Sequence, residues 1–504
     1  MSVTPDFDAF SIAYGKAIPQ CVALRLVSDL ETPVSAYLKL KPMIGNTPAF
    51  LLESVEGGAV KGRHSIIGLA PDLVWRCQGD SSEVARGQGG FEPVSGLPLD
   101  TLRGLIAESH IPGLDGLPPM ASGIFGFLGY DMVRHMERLA PAKPDMIGVP
   151  DAVMIRPTLV LVFDNVRDEI VVVTPIFPQN GVQARAAYES ALARLDSVVD
   201  ALEAPLQHAG TPDDLAARMP VAVSNTSPDE FKEMVGTAKE YILAGDIFQV
   251  VLSQRFSCAF DLDAFSLYRA LRRVNPSPYL CFLDFKDFQI VCSSPEILVK
   301  VVDGKVSIRP LAGTRKRGAT PAEDLALEKE LLADPKEKAE HLMLVDLGRN
   351  DVGRVAQIGS VEVTDRFFIE RYSQVMHIVS HVEGQLDQAK FGVLDALAAG
   401  FPAGTTSGAP KVRAMQIIDE LEKAKRGTYA GTIGYFGADG AMDTCIMLRT
   451  ALVKDGMMHV QAGAGIVHDS VPALEQAECE NKARALFRAA EEAVRFALRG
   501  KRGQ

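Results

Sequence analysis

The stretch that decides the fold is TIGYFGADGAMDTCIMLRTALVKDGMMHVQAGAGIV, residues 432–467. It breaks into short β-branched and aromatic runs separated by Asp439-Gly440 and Asp455-Gly456, dipeptides that favour tight hairpins because both residues tolerate positive φ. Strands joined by turns this short lie antiparallel, since a parallel neighbour needs a long crossover. Working outward, the pattern recurs at IFQVVLSQRF (247–256), YLCFLDF (279–285), FQIVCSS (288–294) and ILVKVVDGKVSIRP (297–310), the last with its own Asp303-Gly304 turn. Long helical patterns begin near 228, 322, 410 and 472, so hairpins and helices together predict an α+β fold instead of a doubly wound one.

The first half alternates strand-like runs, AFLLESV (49–55) and TLVLVFD (158–164), with few clear helices. Residues from about 200 to 226, containing LEAPLQHAGTPDDLAARMPVAVSNT, are rich in Ala, Pro and small polar residues and read as a linker. Ser227, Pro228 and Glu230 then form a capping box for a helix that Gly245 could end. The expected organisation is an N-terminal domain over 1–200, a linker over 201–226 and a second domain over 227–495.

A chain of 504 residues, 47% hydrophobic and 23% charged, is long enough for two domains with large cores. A net charge of -12 argues against nucleic acid or an anionic membrane as partner. Seven cysteines without a C-x-x-C pair read as reduced core residues of a cytoplasmic protein. No basic n-region with an apolar run opens the sequence and no apolar stretch of about 18 residues occurs, so neither secretion nor membrane spanning is expected.

PALEQAECENKA (472–483) reads as a helix that sets Glu475 and Glu478 one turn apart, beside an apolar stripe through Ala483, Phe487 and Ala490. ADPKEKAEHLMLVDLG (333–348) starts a helix at Asp334 and Pro335 and repeats the spacing with Glu337 and Glu340. Local partners account for part of this: Asp334 and Glu337 can form a capping box, and Glu478 can pair with Lys482. Glu340 leads into LMLVDL, apolar on nearly every face and so read as buried. Four acids beside apolar surface repel unless a cation lies between them, and an oxygen-only set suits magnesium.

Further motifs are IRPLAGTRKRG (308–318), DLGRNDVGRV (346–355), YSQVMHIVSHVEG (372–384), FPAGTTSGAPKVRAM (401–415), RGTYAGTIGYF (426–436) and QAGAGIV (461–467). With them the chain resembles the chorismate-utilising enzymes, and within that family the branch that makes anthranilate. The likeness covers nearly all of 227–490 in order, and in the first half rests on LLES (51–54) and GIFGFLGYD (123–131). It implies two interlocked domains forming a β-sandwich of mainly antiparallel sheets with helices outside, and an active site in a cleft of the C-terminal part. It also implies magnesium held by Glu340 and Glu478, with Glu337 and Glu475 reaching the ion directly or through water.

Chorismate carries two carboxylates and a ring hydroxyl that must leave. The resemblance assigns the enolpyruvyl carboxylate to Arg449 and Tyr429, with Thr405 and the backbone of Gly463, Ala464 and Gly465, and places Lys482 with these substrate contacts. An arginine fork and glycine-lined amides suit an anion. It nominates Glu296 as the acid and His377 as the group that helps the hydroxyl depart or orients the ring, with Thr314 among the catalytic set. HIVSH lacks the glutamate of H-E-x-x-H, which excludes a zinc protease. Where relatives that add water place a lysine the chain has Gln249, and where aminodeoxychorismate enzymes have one it has Ala312; the site therefore fits ammonia as nucleophile.

No Gly-x-Cys-x-Gly setting with a downstream His marks a fused glutaminase, so a separate glutamine amidotransferase subunit is expected as partner. LLES and NPSPYL (275–280) resemble the halves of a tryptophan feedback site comprising Glu53, Ser54, Asn275, Pro278, Tyr279 and Leu280, Leu280 standing where methionine is frequent. The rivals are aminodeoxychorismate or isochorismate/salicylate synthesis, and a non-catalytic tryptophan sensor.

Overall fold

The computed structural model describes residues 3–56, 60–114, 116–206, 219–372 and 375–498. Two of the three Asp-Gly turns are two-residue hairpins: Asp303 and Gly304 join Ile297–Val302 to Lys305–Ile308, and Asp455 and Gly456 join Thr450–Lys454 to Met457–Ile466. All four turn residues have positive φ, the geometry whose twist matches flanking strands. Asp439-Gly440 lies in a longer turn between Thr432–Gly437 and Met442–Ile446.

The strands pair antiparallel throughout and form two layers that share two long strands, His64–Gln78 and Ala152–Asp164. Through residues 64–71 and 157–164 they belong to one layer, which continues through Ala49–Glu53, Tyr279–Asp284, Gln289–Ser294, Thr450–Lys454 and Met457–Ile466 to Gln249–Ala259. A register shift at Arg156/Pro157 redirects them. Beyond it they join the second layer, which runs through Gly123–Leu128, Thr432–Gly437, Met442–Ile446, Ile297–Val302 and Lys305–Ile308 to Val375–Gln385. Both layers draw strands from either side of residue 200.

Helices cover the outside. Ser227 closes the capping box with Glu230 at the start of Pro228–Leu243, and Gly245 follows the helix end with φ +84. Ala264–Val274 buries Phe265, Tyr268 and Leu271 at helical spacing, and the C-terminal helix Pro472–Leu498 packs its small-residue stripe of Cys479, Ala483 and Ala490 inward. All seven cysteines are buried free thiols. No described helix is long and apolar enough to cross a membrane.

The first half holds more helix than its sequence suggested: Phe7–Gly15, Pro33–Ile44, Pro98–Glu108 and the 20-residue Ala184–Glu203. The last buries Tyr188, Ala191, Leu195, Val198 and Leu202, a 3.6-residue period that was readable, and it runs into the start of the expected linker. Residues 207–218 of that linker lie outside the described residues, and Val223–Ser224 pairs with Phe256 and Ser257.

Candidate active site

The two acidic helices flank one end of the Gln249–Ala259 and Met457–Ile466 pair. Pro335–Gly353 starts where the Asp334 carboxylate accepts the backbone N–H groups of Lys336 and Glu337. The other half of the expected capping box does not form, because Glu337 turns to Arg315 Nη1 at 2.9 Å. Arg315 also holds Asp334 at 2.8 Å and Glu330 at 3.0 Å, so its fork gathers three carboxylates. One turn on, Glu340 Oε1 accepts from Gln249 Nε2 at 3.3 Å, while Gln249 Oε1 is buried with no partner among the described residues. Burial pushes the Glu340 carboxyl up, and repulsion from Glu337 and Glu478 adds to it. The run after Glu340 is not buried all round: Leu344 and Val345 face inward, but Leu342 is 52% exposed because the helix lies on the outside of the sandwich.

Across the strand pair, Glu478 meets Lys482 Nζ at 2.6 Å, the local partner its spacing suggested. The Glu475 carboxyl is pushed up first by burial and then by Glu478. Glu478 thus acts on Glu475 and, from a different helix, on Glu340. They do not form a closed ligand set unaided: among the described residues no three carboxylates bring an oxygen within 4.8 Å of one another.

Lys482 links these acids to the Met457–Ile466 strand, donating to the Gly463 carbonyl at 2.9 Å. Gly463, Ala464 and Gly465 pair with Ser253, Leu252 and Val251 on one edge, while Thr450–Lys454 pairs with the other edge only as far as Val460. Side chains here would obstruct. A Cβ on Gly463 would fall 2.7 Å from both the Tyr429 hydroxyl and the Leu252 carbonyl, and one on Gly465 would fall 2.7 Å from Gln249 Nε2. Tyr429 is buried, with its ring 5.4 Å from the Arg426 guanidinium carbon. Arg449 sits in the left-handed region at φ +47, and its guanidinium has no hydrogen-bond or ion-pair partner among the described residues. Burial pulls its pKa below the ordinary value, opposed by Tyr372 and Glu296. A half-buried guanidinium with no partner among the described residues is free to receive an anion.

Glu296 follows Gln289–Ser294 and is 6% exposed. Thr405, in the short 3₁₀ turn Gly404–Thr406, donates to its Oε1 at 3.0 Å. Burial pushes the Glu296 carboxyl up to about 8, against the pull of Thr405, Arg449 and Lys482. His377 is set by a register shift in Leu311–Lys316, between Ala312 and Thr314, which aims Gly313 O and Thr314 Oγ1 at its Nδ1 from 3.2 and 2.9 Å. The Gly313 carbonyl only accepts, so Nδ1 carries the ring proton and Nε2 is left bare. Burial, then Arg449, pull the His377 pKa down to about 4. Ala312 is buried, and Ser373 and Gln374 of the same motif region lie outside the described residues.

A cavity of about 330 Å³ is lined by Glu296 together with Glu53, Ser54, Pro278 and Tyr279. The remaining members of the expected feedback set point elsewhere. Leu280 alternates with Tyr279 along its strand and faces the opposite core, while Asn275 caps the preceding helix and donates to Ser293 Oγ at 3.1 Å. Glu53 is already engaged, with Arg272 Nη2 at 2.8 Å and the Tyr268 hydroxyl.

Sequence reasoning missed Arg315, although it quoted the motif that contains it, and His341, which is fully buried with Nε2 2.7 Å from Ser380 Oγ. Arg315 had a signal in its place opposite an acidic helix start; His341 had none, because a lone histidine in an apolar run is an ordinary core residue.

The chorismate binding enzyme family matches residues 58–488. Anthranilate synthase component 1 of Cereibacter sphaeroides is 52% identical over 502 residues, 99% of each chain. The crystal structure of anthranilate synthase component I from Streptococcus pneumoniae superposes with a TM-score of 0.76 at 38% identity, covering 92% of this chain and 99% of that one. The menaquinone-specific isochorismate synthase of Escherichia coli shares the fold at a TM-score of 0.70 and 18% identity, covering 96% and 98%.

Proposed function

Because the chain belongs to the family of chorismate-binding enzymes, we propose that it converts chorismate and ammonia into anthranilate, pyruvate and water, the entry to tryptophan synthesis. The observation that carries this reading is a pair of titratable groups driven apart within one site. Glu296, pushed up to about 8, keeps its proton at neutral pH, and His377, pulled down to about 4, stays uncharged. Two groups separated in that way are an acid and a base at the same pH.

Ammonia forms a bond to C2, the ring electrons shift, and the C4–O bond breaks; the added nitrogen, cationic once bonded, gives up one proton, which replaces the one Glu296 supplies. Glu296 gives the departing hydroxyl its proton, so it leaves as water, and Thr405 holds the carboxyl in line. Loss of the C2 proton and cleavage of the C3–O bond then release enolpyruvate, which becomes pyruvate, and leave an aromatic ring. His377 offers its bare Nε2 to the hydroxyl and to the proton that must be removed. Arg449, assisted by Tyr429 and the open edge at Gly463 to Gly465, holds the enolpyruvyl carboxylate; Lys482 adds positive charge beside it.

Glu340 and Glu478, with Glu337 and Glu475 adjacent, suit magnesium. The set is all oxygen, burial and neighbouring carboxylates push Glu340 and Glu475 up, and the Gln249 oxygen beside Glu340 has no partner among the described residues. When bound, the ion supplies positive charge for the ring carboxylate. Ammonia comes from a separate glutamine amidotransferase subunit. L-Tryptophan inhibits from the cavity wall that Ser54, Pro278 and Tyr279 line, with Glu53 shared with Arg272. Gln249 in place of a lysine base favours amination over addition of water, and Ala312 speaks against aminodeoxychorismate synthesis.

Fluorescence of anthranilate on mixing the chain with chorismate, magnesium and ammonium tests the activity, and glutamine without a partner subunit should give none. Isochorismate or salicylate as product would overturn the assignment.

A further inference from the structure

Three thiols, two from consecutive strands and one from a strand far along the sequence, meet in the core. Cys281 and Cys292 stand opposite one another in the register of adjacent strands, and Cys445 reaches them from Met442–Ile446 in the other layer. Their Sγ atoms all lie within 4.8 Å of one another. Cys292 and Cys445 are fully buried, and Cys281, 3% exposed, lies on the wall of the 330 Å³ cavity on the same strand face as Tyr279. None is part of a disulfide.

Apolar packing alone explains three small side chains in a core, but not the convergence of three polarizable donors at ligand spacing. A metal about 2.3 Å from each of three coplanar sulfurs would space them about 4.0 Å apart, a contraction of under roughly 1 Å from the limit observed. Among the described residues no histidine, carboxylate or fourth cysteine joins the group. Structural zinc wants four ligands, whereas soft monovalent copper accepts three sulfurs.

We propose that Cys281, Cys292 and Cys445 form a three-coordinate thiolate site for a thiophilic d¹⁰ cation, monovalent copper, reached through the cavity that Cys281 borders. Binding changes no oxidation state. Each thiol that becomes a ligand releases its proton to solvent, and the ion enters with its charge unchanged.

The test is an anaerobic titration of the metal-free, full-length chain with Cu(I) against a chromogenic Cu(I) chelator, with a parallel zinc arm. The wild type should retain about one Cu(I) per chain against the chelator, with ultraviolet thiolate-to-metal absorption, and should not retain zinc. Cys445→Ser and Cys281→Ser should each weaken retention by at least about ten-fold, while Cys21→Ala, a buried thiol elsewhere, should leave it intact. The wild-type titration decides even if a variant fails to fold. No retained copper, zinc retained in its place, or equal loss in Cys21→Ala would each overturn the proposal.

Discussion

Replacing Glu296 by glutamine is expected to disable the protein and, at alkaline pH, to stabilise it. Burial raises this carboxyl from 4.5 to about 8, a rise of roughly 3.5 pH units at about 1.36 kcal/mol each. Ionising Glu296 in the folded protein therefore costs on the order of 5 kcal/mol more than ionising it in the unfolded chain. A carboxyl whose folded value is raised binds its proton more tightly in the native state. Its contribution to stability is whole below pH 4.5, is lost as the pH climbs, and is exhausted above about 8. Glutamine is neutral throughout, keeps an acceptor for Thr405 and carries no such slope. Guanidinium midpoints for both proteins between about pH 4.5 and pH 9 should show the variant gaining on the wild type by several kcal/mol, while its rate falls about 10²- to 10⁴-fold. A stability difference that stays flat across this range would refute the argument that burial holds Glu296 protonated.

Thr405→Val removes a 3.0 Å hydrogen bond that favours the charged form of Glu296. At about 1.5–3 kcal/mol, its loss should move the alkaline limb of kcat/KM for chorismate upward by roughly 1 to 2 pH units, once rates are corrected for free ammonia. Arg449→Lys keeps the charge but loses the fork, so KM for chorismate should rise about 10- to 100-fold with little change in fold stability. Gly463→Ala places a Cβ 2.7 Å from the Leu252 carbonyl, which cannot yield, and should lower stability by about 1–3 kcal/mol in thermal melts together with activity. Lys411→Met strands Asp351 in the core, where the pair is 2.9 Å apart and nearly without exposure, and should cost about 3–5 kcal/mol.

Local chemistry made much of this molecule readable. The Asp303-Gly304 and Asp455-Gly456 hairpins, the Ser227 capping box and the two acidic helix turns each rest on a few neighbouring residues. Repulsion from Glu478, on the other helix, adds to the burial that pushes Glu340 up. What escaped depends on contacts between distant residues. Glu53 could not be seen to be taken by Arg272 and Tyr268, because those partners lie on a helix some 215 to 219 positions away. Leu280 looked like a neighbour of the cavity, but strand alternation turns it to the opposite face. Nor does any local rule place Arg449 at positive φ, since arginine has no preference for that region. The long helix at 184–203 is a different case: its period was present and overlooked.

The two long strands that serve both layers impose a schedule on synthesis. Ala49–Glu53 finds its outer neighbour only when Tyr279–Asp284 has emerged, and Gly123–Leu128 must wait for Thr432–Gly437. At about 5–20 residues per second, that second wait of roughly 300 residues lasts on the order of 15–60 s. During it the nascent chain presents raw strand edges to every other chain near the ribosome. Truncations that stop before residue 432 should therefore aggregate rather than yield a folded N-terminal half, and holdase chaperones should matter most in that interval.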